Sequence, residues 1–269
     1  MRNTRLTSVL TLLCVPLLLA AAALVPLAVM KQTDRTRLET AHSLPAPADI
    51  GAPDAQAMEI PLVAQLYQLL LTQDADAYSP YVANGDAPAR ACTDQDVLDT
   101  FAVLRPALPA DWAGLADAMT AQADDTQATG TELSAGFSAI ELQFCREDAL
   151  EDDTSSFGTL TAITAPDGVT PVQMSLYLNV YAMPRPEEFS PPQEPADPYG
   201  TLERTARQLG LDGLDWQPAP LNASEGYWCI ASDQANLRLV LHIQDRTGTG
   251  AYLLDITLTM VPEGEDPIL

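Results

Sequence analysis

Apolar and polar residues alternate along six stretches of this chain, and a period of two marks a strand with one buried face. The clearest is residues 171–183, where Leu176, Leu178, Val180 and Ala182 take one side and Tyr177, Asn179, Tyr181 and Met183 the other. Residues 131–145, 156–165, 226–232, 236–244 and 251–261 read the same way and are rich in β-branched and aromatic side chains. Pro166-Asp167-Gly168 and Thr247-Gly248-Thr249-Gly250 supply turn chemistry between consecutive strands.

The remaining apolar positions recur at three and four residues, the helical period. Leu62, Val63, Leu66, Leu69 and Leu70 predict a helix over 59–73, with Pro61 suited to its first turn. A second helix opens at Thr93, whose hydroxyl caps the following amides while Asp94 and Asp96 meet the positive end of the dipole. It ends before Pro106. Further helices are predicted over 111–123 and 199–209, the latter closed by Gly210. Residues 78–90, with Pro80, Asn84-Gly85 and Pro88, read as a loop. Together these elements predict an α+β protein in which antiparallel sheet is covered by helices on one face.

Residues 6–30 carry no charge and exceed the roughly 20 residues a membrane helix needs. With Arg2 and Arg5 before them, they predict a single-pass signal-anchor behind a short basic N-terminus at 1–5. A cleaved signal peptide is the rival, with small residues at Ala20–Ala23, but the apolar run continues through Leu24–Met30. Basic residues flank both sides of the segment, so charge alone leaves orientation nearly balanced. The resemblance of the start to an export signal favours an extracytoplasmic C-terminal part and a place in the cell membrane. Residues 31–57, with Pro45, Pro47 and Pro53 among alanines, form a stalk. Residues 58–183 then make one unit, and 199–269 a second. Between them, 184–198 holds six prolines in fifteen residues, the composition of a stiff extended linker.

The order of elements suggests a repeat. Val97, Phe101 and Leu104 match Leu202, Ala206 and Leu209 at an offset of 105. Met174, Leu176 and Leu178 match Tyr252, Leu254 and Ile256 at an offset of 78. Cys145 and Cys229 each follow an aromatic residue, Phe144 and Trp228, in the first strand of each unit. This points to two α-β-β-β units, in one sheet or in two lobes.

Composition narrows the chemistry mainly by exclusion. With 37 acidic against 13 basic residues, the net charge of −24 argues against a nucleic-acid partner, which needs Lys and Arg for its phosphates. Lys31 is the only lysine, so the soluble part has no Schiff-base or phosphate-loop lysine. Neither His42 nor His242 has a Cys or His at zinc-ligand spacing. The stretch 136–140 lacks the closing glycine of a serine-hydrolase elbow. The acidic loop at Glu147–Asp153 lacks the spacing and glycine of a calcium loop and reads as a solvated surface. Nothing selects a metal, a cofactor or a catalytic set.

A Cys229–His242 dyad would need contact near 3 Å. A hairpin turn at 233–235 sets His242 about three positions beyond the residue opposite Cys229, roughly 10 Å away. Cys92, Cys145 and Cys229 allow at most one internal disulfide, with Cys145–Cys229 the candidate, although buried free thiols are the expected state. Tyr177 and Tyr181, on one strand face two pleats apart, form a candidate aromatic binding strip, set against ordinary packing of their rings. The function this implies is a membrane-anchored extracytoplasmic binding protein, with a protein, a cationic ligand or a metal ion favoured by the acidity. A carboxylate-dependent hydrolase, with or without a divalent ion, and an accessory subunit acting through its membrane helix are the alternatives.

Overall fold

The computed structural model describes residues 52–71, 88–146, 156–220, 226–246 and 250–260. The anchor at 6–30, nearly all of the stalk, the acidic loop and the turn residues 247–249 lie outside the described residues. Contacts divide the chain into residues 1–49 and 50–269, and every described residue belongs to the second part. No helix among the described residues is long and apolar enough to cross a membrane.

Five α-helices and eight strands follow one another in the described chain. They are α1 (Pro61–Leu71), α2 (Asp94–Leu104), α3 (Ala110–Ala113), α4 (Leu115–Gln122), β1 (Asp125–Glu132), β2 (Ser138–Cys145), β3 (Ser156–Thr164) and β4 (Pro171–Asn179). Then come α5 (Pro198–Gln208), β5 (Gln217–Pro218), β6 (Tyr227–Ser232), β7 (Leu237–Arg246) and β8 (Ala251–Met260). The strands form one antiparallel sheet in the order β1-β2-β3-β4-β8-β7-β6-β5. The fold is therefore α+β, and the two predicted sets of strands share a single sheet.

The helices stand on one face of it. α2 lies over β1 to β4, α5 over β6 and β7, and α1 over β8. Under them, Leu142, Phe144, Leu160, Met174, Leu176, Leu254, Leu258, Leu239 and Leu241 are all buried, at every second position of their strands. The helix starts follow local chemistry. The Thr93 hydroxyl accepts from the Asp96 amide, and the Asp96 carboxylate accepts from the Thr93 amide at 2.7 Å, closing a capping box. At α5 the Asp197 carboxylate accepts from the Gly200 amide at 2.9 Å, with Pro198 in the first turn.

Several sequence expectations are corrected. The stretch 131–145 is a hairpin: the chain reverses through Ala135 and Gly136, at φ 54° and 83°, and joins β1 to β2. β1 escaped the pattern because its sequence, DTQATGTE, is polar on both sides, as suits a strand at the sheet edge. With β1 and the two-residue β5, each half supplies four strands rather than three. β4 stops at Asn179, whose side-chain carbonyl accepts from the Tyr181 amide at 3.1 Å and turns residues 180–182 into a 3₁₀ turn. The third helix is broken at Gly114 into α3 and α4.

Residues 184–198 are a packed strap rather than a spacer. The Arg185 amide donates to Gln122 Oε1 at 3.0 Å, and the fully buried Trp112 donates its indole N–H to the Gln193 carbonyl at 2.9 Å. Phe189 packs on Tyr252 with ring centroids 5.4 Å apart. Both sheet edges are blunted. Along β1, the Arg90 amide bonds the Gly130 carbonyl and the Glu132 amide bonds the Pro88 carbonyl, while the Thr126 hydroxyl donates to Asp94. The opposite edge is the short β5, with Pro218 in it.

Candidate functional site

The sheet face away from the helices is built from the other half of each alternation. Glu141, Gln143, Thr159, Thr161, Gln173, Ser175, Leu253, Asp255, Thr257, His242, Gln244 and Tyr227 are half-buried there, Tyr177 is exposed, and Ile163, Val240 and Cys229 are buried among them. Cross-strand register arranges them in rows. One row runs Glu141, Thr161, Ser175, Asp255, His242, Tyr227 across six strands, each residue opposite the next. Its neighbour runs Gln143, Thr159, Tyr177, Leu253, Gln244.

The densest polar contact lies at the β8–β7–β6 end of the first row. His242 Nδ1 is 3.2 Å from Asp255 Oδ2, and its imidazole stacks on the Tyr227 ring with centroids 3.8 Å apart and planes 4° from parallel. A proton on Nδ1 donates to that carboxylate, and the bond together with the stack orients the ring plane. Sequence reasoning weighed His242 as a partner for Cys229 and missed Asp255 and the stacking of Tyr227. A signal existed: reflecting residue 242 through the centre of the Thr247–Gly250 turn gives residue 255, the observed partner.

The predicted site residues are dispersed. Tyr177 stands on the open face and is 38% exposed. Tyr181 left the strand with the 3₁₀ turn, and its ring packs over Gly250 with 69% of the residue exposed. The two rings therefore do not form a strip along one strand. Cys145 and Cys229 lie on β2 and β6, five strand spacings or about 24 Å apart, far beyond the roughly 4.4–6.8 Å Cα separation of a disulfide. Both are free, as is Cys92. Burial pushes all three thiols up; Asp125 adds to this at Cys145, and Arg238 opposes it at Cys229.

Cys229 stands opposite Val240, so His242 is its diagonal neighbour, nearer than the sequence estimate but still roughly 7–8 Å off, outside proton-transfer reach. The Cys229 thiol instead donates to the Ile230 carbonyl. Trp112 is enclosed by the strap, Trp216 bonds the Leu211 carbonyl at 2.8 Å, and Trp228 is half-buried against the core. Away from the open face, a groove of about 340 Å³ between α2 and α4 is lined by Leu98, Phe101, Ala102 and Ala116, with the Arg105–Asp117 ion pair beside it. Among the described residues no three metal-ligating side chains come together.

No protein-family model, curated protein or solved structure matches this chain.

Proposed function

We propose that this chain is a membrane-anchored extracytoplasmic binding protein that meets its partner on the open face of the sheet. The observation that carries the reading is the one-sided packing. Helices cover one face, whereas the other presents rows of hydrogen-bonding side chains around an exposed Tyr177. The anchor at residues 6–30 rests on the uncharged 25-residue run and the basic residues before it. Protease accessibility of a C-terminal tag in intact cells tests the topology: loss of the tag supports export, and protection until permeabilisation refutes it. A photoreactive side chain at Thr159 tests the face, against one at Glu203 on α5. Crosslinking to a partner from Thr159 and not from Glu203 supports the open face, and the reverse refutes it.

The two halves also read as copies of one unit. Leu176 lies directly opposite Leu254 at the β4–β8 seam, and the two are 78 apart, the offset at which the last strands align. Following the pairings outward, Leu176 faces Leu160, which faces Leu142. Leu254 faces Ile243, whose amide bonds the Gly226 carbonyl. A two-fold axis at the seam thus carries Leu142 onto Gly226 at an offset of 84, which also carries Phe144-Cys145 onto Trp228-Cys229. Two sequence signals that looked unrelated follow from one operation. The same axis carries Asp255, His242 and Tyr227 onto Tyr177, Thr159 and Gln143. The fold tolerates quite different side chains at these positions, which supports a specialised role for the His–Asp–Tyr cluster in one half. Half-length proteins that dimerise through the equivalent of β4 are the expected relatives, and half-length relatives pairing by another edge would refute the duplication.

A further inference from the structure

Gln173, Ser175 and Tyr177 are consecutive open-face positions of β4, and stand opposite Thr257, Asp255 and Leu253 of β8. Asp255 is at the centre of the group. His242 holds one of its oxygens from β7, Ser175 faces it from β4, and Gln173 and Tyr177 are its diagonal neighbours at roughly 7–8 Å. Gln173 Oε1 is buried and has no hydrogen-bond partner, a state that buried acceptors rarely keep. A turn of the half-buried Gln173 side chain would bring that acceptor to the surface beside a carboxylate and the exposed ring of Tyr177, and the group asks for donors and positive charge.

A guanidinium answers that description better than an ammonium. It is flat, carries five N–H donors in a fixed fork, bonds a carboxylate side-on and stacks on an aromatic face. The charge has the right sign. By strand position Asp125, Glu141 and Asp255 fall on this face, with Arg238 and Arg246, in a chain of net charge −24.

We propose that Gln173, Ser175, Tyr177 and Asp255 form a receptor for an arginine side chain on a basic protein partner. This rests on the open-face reading above and names the chemistry the face selects. The test is calorimetric titration of the full chain in nanodiscs with a short peptide carrying two arginines, and with its lysine twin, at physiological ionic strength. The arginine peptide is expected to bind at least about 5-fold tighter than the lysine peptide, given the bidentate and stacking contacts only it can make. Asp255→Asn, which keeps the size and a contact to His242, is expected to weaken it about 10-fold or more, and Tyr177→Leu about 3-fold or more.

Glu141→Gln removes an equal charge from the same face three strands away, and is expected to change affinity by less than about 2-fold because surface charges at that distance are screened. Absent binding, equal affinity for the two peptides, or equal losses in Asp255→Asn and Glu141→Gln would overturn the receptor. Carbodiimide labelling of carboxylates during the titration separates this failure from that of the face. Protection of Glu141 with indifference to Asp255→Asn refutes the receptor and leaves the open face standing. Protection confined to Asp111, Asp117 and Glu203 on the helices refutes both.

Discussion

Trp112→Phe is the sharpest test of the strap over 184–198, because a stiff linker and a packed strap respond to it differently. Trp112 is 1% exposed, and its indole N–H is the hydrogen bond that ties Gln193 to α3. Phenylalanine keeps an aromatic ring but removes the donor. Gln193 is itself exposed, so its carbonyl can turn to water, and the lost bond costs about 1 kcal/mol, the low end of the range. The smaller ring leaves part of the site unfilled, which adds about 1–2 kcal/mol. The total, about 2–3 kcal/mol, would appear in urea denaturation followed by far-UV circular dichroism.

Local release is read separately, by cleavage with a glutamate-specific protease at Glu187, Glu188 and Glu194 within the strap. In the native protein the strap is held by Trp112, Gln122 and Tyr252, so cleavage there is expected to be slow. Trp112→Phe is expected to speed cleavage in the strap at denaturant concentrations where the sheet is still folded. Unchanged cleavage together with a stability change under about 0.5 kcal/mol would refute the packed strap, since substitutions of that size are the ordinary result at surface positions.

Three further outcomes follow from named contacts. Thr93→Ala should cost about 1 kcal/mol by removing the α2 cap. The Thr93 hydroxyl and amide hold the Asp96 carboxyl below its usual range, so the capping contribution is present above the unfolded carboxyl value near 4 and is lost as pH falls through the lower folded value; acid titration of the variant should show a smaller stability loss than the native chain. Gly130→Ala sets a Cβ 2.9 Å from both the Arg90 carbonyl oxygen and Cys92 Cβ, displacing the segment that covers the β1 edge, with a cost of about 1–3 kcal/mol and increased aggregation read by light scattering; unchanged stability would mean the segment is not held there. Since Cys145 and Cys229 stand too far apart to bridge, a reducing agent should leave the melting temperature unmoved, and Cys229 should be slow to alkylate in the folded chain; a reductant-dependent melt would contradict the strand order.

Much of the secondary structure was legible because its cause is local. The alternation in 156–165 and 251–261, the Thr93 cap and the Gly210 stop each act within a few residues of themselves, and each predicts its element to within a residue or two, whereas that in 171–183 overruns β4 by four residues. What escaped was polar or position-dependent. β1 has almost no apolar residues to alternate, because one of its neighbours is a loop and not a strand. The end of β4 depends on one Asn side chain competing for an amide, which periodicity does not register. The strap was misread because proline richness describes a stiff chain equally well whether it crosses solvent or lies against Trp112 and Tyr252.

The sequence by itself determined the fold class, the near absence of lysine and histidine chemistry, and which residues of each strand face the core. Those follow from residue type and from a period of two, which the six longer apolar strands, β1 and β5 aside, carry in their own sequences. Only the tertiary structure decided that both halves share one sheet, that Cys145 and Cys229 lie far apart, and that Asp255 holds His242 under Tyr227 while Gln173 keeps an unpaired oxygen. Strand order and register arise from packing between segments distant in sequence, and a face of side chains exists only once its strands are side by side.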